Sequence, residues 1–243
     1  MSEAALSLPW WRLCFLLPPA VLLVLLLFRW TDQGKPLLHA AVRMLGQLVL
    51  IGYVLVWVFQ ARSPGWVLLA LTLMAAAAGW IALRPLPRRT AALYRLALGC
   101  ILLCGGGTLA LAVWGALRPV PWYDARVVIP LAGMIFAGSM NQISLAAERY
   151  LAERERGADH AGARATALRA SLIPLLNTFF AVGLVQLPGM MTGQILAGAD
   201  PLMAVRYQIL VMLMLLSSGG LAAALFVQRL GREAGARSCG GGQ

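Results

Sequence analysis

The chain has 243 residues, of which 60% are hydrophobic and 12% charged, and its mean hydropathy is +0.78. A soluble globular protein carries roughly 25% charged residues, so an aqueous core cannot hide this much apolar surface and lipid must act as solvent. The net charge is +11, with Lys35 the only lysine among 20 basic residues. These cations lie between apolar runs rather than in a soluble basic domain, which argues against nucleic acid as a partner.

A spanning helix needs about 20 mostly apolar residues. Seven runs qualify, over 13–28, 37–60, 65–83, 96–117, 127–147, 172–197 and 205–228. None shows the period-2 alternation of a membrane barrel. The predicted fold is an all-α integral membrane protein of about seven transmembrane helices, one polytopic domain over 1–243.

The first run is short, contains Pro18-Pro19, and begins beside Trp10, Trp11 and Arg12 at the interface. Its first basic residue is Arg12, and it ends in Phe28-Arg29-Trp30 without a small-residue cleavage site, so it is expected to be a retained helix. The second run carries His39, Arg43 and Gln47, spaced by four on one face. His39 and Arg43, near its inner end, are expected to snorkel, whereas the deeper Gln47 suits an interhelical hydrogen bond. In the fourth run Cys100 and Cys104 share a face as small packing residues. Cys14 is also in an apolar run and Cys239 in a Gly-rich tail, with no disulfide framework. Gly105-Gly106-Gly107-Thr108 lacks the following lysine of a P-loop and reads as close helix packing.

The fifth run ends in Ser139-Met140-Asn141-Gln142 and is expected to continue into the inner segment 148–170. There Arg149 and Glu153 are placed to pair four residues apart. Gly157 breaks the helix, and Asp159 caps a second short helix rich in Ala and Arg. By composition alone this segment is a solvated loop that fixes topology. The sixth run contains Leu187-Pro188-Gly189-Met190-Met191. Proline removes a donor and clashes with the preceding turn, so the sixth helix is expected to break at Pro188-Gly189, either as a packed kink or as part of a pathway. The seventh run adds Gln208, Ser217 and Ser218.

Basic residues set the orientation. With the N-terminus outside, the inner segments hold Arg29 and Lys35; Arg84, Arg88, Arg89 and Arg95; Arg149, Arg154, Arg156, Arg164 and Arg169; and Arg229, Arg232 and Arg237. The outer segments hold only Arg12, Arg62, Arg118, Arg126 and Arg206. The C-terminus is then cytoplasmic, and the protein is placed in the inner (plasma) membrane.

Catalytic machinery is absent: two histidines, no HExxH, no ATP-binding motif, and nine acids confined to span ends and loops. The chain is expected to be no enzyme and to bind no cofactor. The lack of intramembrane carboxylates argues against proton coupling. The C-terminal half is rich in neutral oxygens and methionine. Thioether sulfur is a soft metal donor, although methionine also fills gaps in packing. Without carboxylate or thiolate, the pattern suits a weak conduit rather than tight storage.

Several stretches are familiar. They are Gly46-Gln47-Leu48-Val49-Leu50-Ile51-Gly52-Tyr53-Val54-Leu55, Val128-Ile129-Pro130-Leu131-Ala132-Gly133-Met134-Ile135, and Gly183-Leu184-Val185-Gln186-Leu187-Pro188-Gly189-Met190-Met191-Thr192-Gly193. Ala197-Gly198-Ala199-Asp200-Pro201, followed by Tyr207-Gln208-Ile209, completes them. In order and spacing these resemble the bacterial iron-export ABC permease family of the FetB (YbbM) type, from about residue 43 to residue 226. One departure is Ala137-Gly138-Ser139-Met140, where the family usually carries asparagine at the second place.

The resemblance implies a permease that exports a metal ion, iron foremost, powered by ATP hydrolysis on a separate ATP-binding subunit. It implies a homodimer in the lipid bilayer. It turns 148–170 into the expected coupling element to the ATPase, with Glu148, Arg149, Glu153 and Gly157 as its residues. Met140, Asn141, Met190 and Met191 are the metal pathway candidates. The alternatives are an ATP-independent channel or secondary carrier, and a membrane assembly protein without transport.

Overall fold

A computed structural model describes residues 9–60 and 63–239, with the backbone alone at 10, 60 and 232–239. Arg62 and the side chains of Trp10, Arg232, Arg237 and Cys239 therefore lie outside the described part. Among the described residues the chain is helical throughout, with no strand beyond an isolated bridge between Val182 and Gln186. It is an all-α integral membrane protein. Among the described residues six helices are long and apolar enough to cross a bilayer: Trp11–Trp30, Gly34–Phe59, Pro64–Ala82, Ala91–Leu117, Ala125–Glu155 and Pro201–Gly231. The structure forms two compact units, divided after Gln60.

The first unit is a helical hairpin. A 3-10 turn over Trp10–Leu16 leads into α1 (Leu17–Trp30), and α2 (Gly34–Gln60) follows. Pro18-Pro19 does not interrupt α1, because the helix proper begins at Leu17 and both prolines fall in its first turn, where no amide is needed. Thr31 closes the turn: its hydroxyl donates to the Leu27 carbonyl at 3.1 Å and accepts from the Gln33 amide at 3.2 Å. α1 buries no residue. His39, Arg43 and Gln47 are exposed on α2.

The second unit begins with α3 (Pro64–Ala82), which has proline in its first turn. The fourth span is composite: α4 (Ala91–Cys100), a π-helical stretch Ile101–Gly106, α5 (Gly107–Ala110) and a second π-helical stretch Leu111–Leu117. Of its glycine run, only Gly105 is packed closely, against Ile135 and Phe136; no heavy atom beyond the helix itself comes near Gly106 or Gly107. Then come α6 (Ala125–Glu155), α7 (His160–Ala181), α8 (Gly189–Leu196) and α9 (Pro201–Cys239).

Side-chain contacts set the helix directions. Gly79, late in α3, lies against Leu98, early in the fourth span, whereas Leu68 and Thr72, early in α3, share a cleft with Leu109 and Val113, late in the fourth span, so the two are antiparallel. Gly105 against Phe136, with Trp114, Trp122 and Val128 around one cleft, makes the fourth span antiparallel to α6. Gly138 meets Leu215 and Gly219 meets Gln142, so α6 and α9 run parallel. Against α9, α7 is antiparallel: His160 lies on Gly231, Arg164 bonds Gln228, and Leu172 meets Gly220. The buried face is built on small residues. Ala97, Ala132, Ala146, Ala147, Ala163, Ala167, Ala222 and Ala223 are all fully buried, which lets backbones approach where lipid supplies no hydrophobic drive between helices.

The sixth run departs from expectation in two ways. The short helix expected after Asp159 does not stop before the membrane; α7 continues to Ala181. The break is also wider than Pro188-Gly189, covering all of 182–188. The Ala181 carbonyl collects the amides of Leu184, Val185 and Gln186, so the chain coils off the helix axis. Leu187, preceding proline, is disfavoured from α geometry, and helix resumes only at Gly189. Pro188 and Met191 face Val205 and Gln208 near the start of α9. Thus α7, the break and α8 together follow α9 from its Gly231 end back to its beginning, as one interrupted traverse.

Candidate functional site

These directions gather Arg84, Arg88, Arg89, Arg95, Arg149, Arg154, Arg156, Arg164, Arg169 and Arg229 toward one end of the second unit. Arg118, Arg126 and Arg206 lie at the other. At the basic end the α6–α7 hairpin is built from local rules. Arg149 pairs with Glu153 at 2.7 Å, and Arg156 reaches the same carboxylate at 3.2 Å. Gly157 has φ +88°, a left-handed conformation that a Cβ disfavours, so glycine ends α6 there. Arg154 donates to the Ala158 carbonyl at 2.8 Å, and the Asp159 carboxylate accepts the Gly162 amide at 2.9 Å, capping α7. The hairpin thus brings Arg149, Glu153 and Gly157 together. Glu148 is exposed one residue earlier.

Two contacts that spacing alone did not signal tie this hairpin to the bundle. The buried Tyr150 hydroxyl is 2.9 Å from His160 Nδ1, joining the end of α6 to the start of α7. The His160 ring in turn lies against Gly231, and Arg164 bonds the Gln228 amide oxygen, both on α9. His160 is therefore a packing and hydrogen-bonding residue. Tyr150 continues the buried stripe Ile143, Ala146, Ala147 of α6, a 3.6-residue period that marks it as inward-facing.

The four pathway candidates do not converge. Asn141 lines a cleft of about 330 Å³ between α6, α7 and α9, with Met134, Gly138, Gln142, Ser171, Pro174 and Thr178 among its walls. Met191 lines a different, almost wholly apolar cleft of about 350 Å³ at the α7–α8 break, with Phe179, Pro188, Gln208 and Met212. Met140 and Met190 are half-buried and line neither. No group of three His, Cys, Asp or Glu is placed to hold a metal among the described residues.

What the sequence did not isolate is a set of buried polar atoms without hydrogen-bond partners: Ser139 Oγ, Gln142 Oε1 and Ser218 Oγ where α6 crosses α9, and Gln194 Oε1 and Gln208 Oε1 nearer the break. A buried oxygen without a donor carries its full desolvation cost. The only sequence signal was polarity inside an apolar run.

The chain matches the model of the uncharacterised protein family UPF0014 over residues 10–234. It is 36% identical to the UPF0014 membrane protein slr1647 of Synechocystis, over 89% of this chain and 90% of that protein. It is 34% identical to the UPF0014 membrane protein YjkA of Bacillus subtilis, over 83% and 86%. It is 32% identical to a protein of Escherichia coli named "Probable iron export permease protein FetB", over 77% and 76%. No solved structure matches. From family model and relatives alike, this multi-pass inner-membrane protein belongs to the UPF0014 membrane protein family.

Proposed function

We propose that this chain is the membrane-spanning permease subunit of an ABC-type transporter that exports a metal ion, iron foremost, powered by ATP hydrolysis on a separate subunit. The observation that carries this reading is the charged α6–α7 hairpin at the arginine-rich end. Likeness to a relative named as an iron export permease supports the direction and the cargo. On this reading the N-terminus is outside, and the arginine-rich end and C-terminus are cytoplasmic. Two copies form the pathway, and two ATP-binding subunits dock on their hairpins. The chain itself binds no ATP and catalyses no reaction.

The hairpin suits such a task physically. Tyr150–His160, His160–Gly231 and Arg164–Gln228 lock α6, α7 and α9 together at this end, so a push on Arg149 and Glu153 moves three helices as a body. The far half of the sixth traverse, interrupted at 182–188, has no continuous helix to transmit that motion and supplies a hinge. ATP-driven closure then reorients the bundle between inward and outward access, and cargo biases the exchange only as far as it binds the two states differently.

The reading is tested by purifying the chain with the ABC ATP-binding subunit and measuring metal-stimulated ATP hydrolysis and metal efflux in liposomes. Reversing both charges, Arg149→Glu with Glu153→Arg, keeps their pairing but inverts the docking surface, and is expected to leave hydrolysis running while transport stops. Met190→Leu with Met191→Leu is expected to change metal response more than abundance; equal loss of both would return these residues to packing. Flux through the chain alone, without ATP, would replace this reading with a channel or carrier. A stable partner unrelated to ATPases would favour an assembly role.

A further inference from the structure

We propose that the turn between α3 and α4 binds an anionic membrane phospholipid, with Arg89 and its neighbour Arg88 on the phosphate and Trp80 beside the start of the acyl chains. The site does not depend on the transport reading, which makes no use of this surface.

The charge here has no internal counterpart. Arg84, Arg88, Arg89 and Arg95 fall within twelve residues, and all four are exposed. No Asp or Glu occurs between Asp32 and Asp124, and Asp124 caps α6 at the opposite end of the second unit. Among the described residues none of the four arginines is in an ion pair; the ion pairs belong to Glu153 in the α6–α7 hairpin. Clustered cations just beyond a span attract lipids of net negative charge. A zwitterionic headgroup would bring its own cation among them.

The turn is held rigid while the cations point out. Leu83 and Leu86 are buried. The Arg84 amide donates to the Ile81 carbonyl at 2.9 Å, and the Leu86 amide to the Leu83 carbonyl at 3.1 Å. Pro85 and Pro87 fix their own φ, so little ordering is left to be done on binding. Arg89 is placed by two contacts. Its Nη2 donates to the Arg84 carbonyl at 3.1 Å, and its guanidinium carbon stands 5.7 Å from the centre of the Trp80 ring. One donation of the five leaves most of the guanidinium fork for a phosphate. Arg95 turns back along α4, its Nε donating to the Ala91 carbonyl at 3.4 Å, which carries its charge toward the turn.

Trp80 makes the partner a lipid rather than a soluble anion. It lies near the end of the α3 span and is 54% exposed. Tyr94 packs edge-on against it at 6.2 Å, and the Tyr94 hydroxyl donates to the Ala76 carbonyl at 3.3 Å. Tryptophan and tyrosine at the end of a span mark the headgroup level. A guanidinium resting on this ring stands at the depth of lipid phosphates, with apolar surface on its membrane side. A free phosphate would use the cations and leave the ring bare.

The test uses the full chain in neutral detergent, mixed with equal amounts of phosphatidylglycerol and phosphatidylcholine of the same acyl chains, with native mass spectrometry counting what stays bound. Phosphatidylglycerol should be retained preferentially, and inorganic phosphate at the same concentration should not displace it. Arg88→Gln with Arg89→Gln should weaken that retention by about tenfold or more, the scale of losing two cations at a membrane surface. Its melting temperature in detergent alone should not change, since both side chains are exposed. If that variant fails to fold, Arg88→Gln with Arg95→Gln decides the matter by the same loss. Arg156→Gln with Arg169→Gln removes equal charge elsewhere at the basic end and should leave retention unchanged. No preference for phosphatidylglycerol, displacement by inorganic phosphate, or an equal loss in the Arg156 and Arg169 variant would overturn the site, the last by showing a diffuse effect of net charge. If the Arg88 and Arg89 variant keeps its lipid but loses a protein partner, the turn is a protein-docking surface and the lipid site falls.

Discussion

The two helices before Gln60 and the bundle after it are equally fit to enter a membrane, yet nearly all of the buried residues belong to the bundle. Both α1 and α2 qualify as spans by length and composition. Nevertheless α1 buries no residue, whereas α6 buries thirteen, including Ala132, Ser139, Gln142, Ala146 and Tyr150. The difference lies in residue size and polarity rather than hydropathy. α1 is built of leucine, valine and phenylalanine, which lipid solvates as well as protein does. α6 alternates alanine, glycine and serine with larger residues, so neighbouring backbones come close and polar groups are drawn inside. Apolar content sends a helix into the bilayer; small and polar residues decide whether it meets another helix there.

This contrast can be broken by experiment. The largest effect is expected from overpacking the bundle: Ala146→Leu, at a fully buried site on α6, should cost about 1–3 kcal/mol, visible as a lower melting temperature in detergent. Gly46→Leu on α2, where no heavy atom beyond its own helix lies near, should leave the melting temperature unchanged. An equal loss at Gly46 would mean that α2 is itself packed against protein. Next in size is Gly157→Ala, which forces a Cβ into a left-handed turn at φ +88°. A loss of about 1–2 kcal/mol is expected, with faster proteolysis between α6 and α7 as a second readout.

Asp159→Ala should cost about 1 kcal/mol through the lost α7 cap, and Asp159→Asn should recover most of it. The smallest effect belongs to Glu153→Gln. Its pair with Arg149 is partly exposed, and such pairs contribute less than about 1 kcal/mol. A change in coupling without a change in melting temperature would then separate its task from the fold.

Much of this was legible in the residues. The spans followed from apolar length, and the clustering of arginines anticipated the basic end of the bundle. The Arg149–Glu153 pair, the Gly157 turn and the Asp159 cap each depend on neighbours within four residues, and all are present. The sixth run was the least legible. Proline marked the break, but its width depended on the Ala181 carbonyl gathering three amides, which no spacing announces.

Sequence by itself therefore determined that the chain enters the membrane, where its helices lie, and how the α6–α7 hairpin turns, because those properties arise from transfer free energy and contacts close along the chain. Only tertiary structure decided that Asn141 and Met191 face separate clefts, that Tyr150 meets His160 and α9 behind it, and that Gln142 lies on Gly219. These depend on the rotation of each helix about its own axis. In lipid, hydropathy is nearly indifferent to that rotation, and it is settled by which small residues of one helix fit against those of the next.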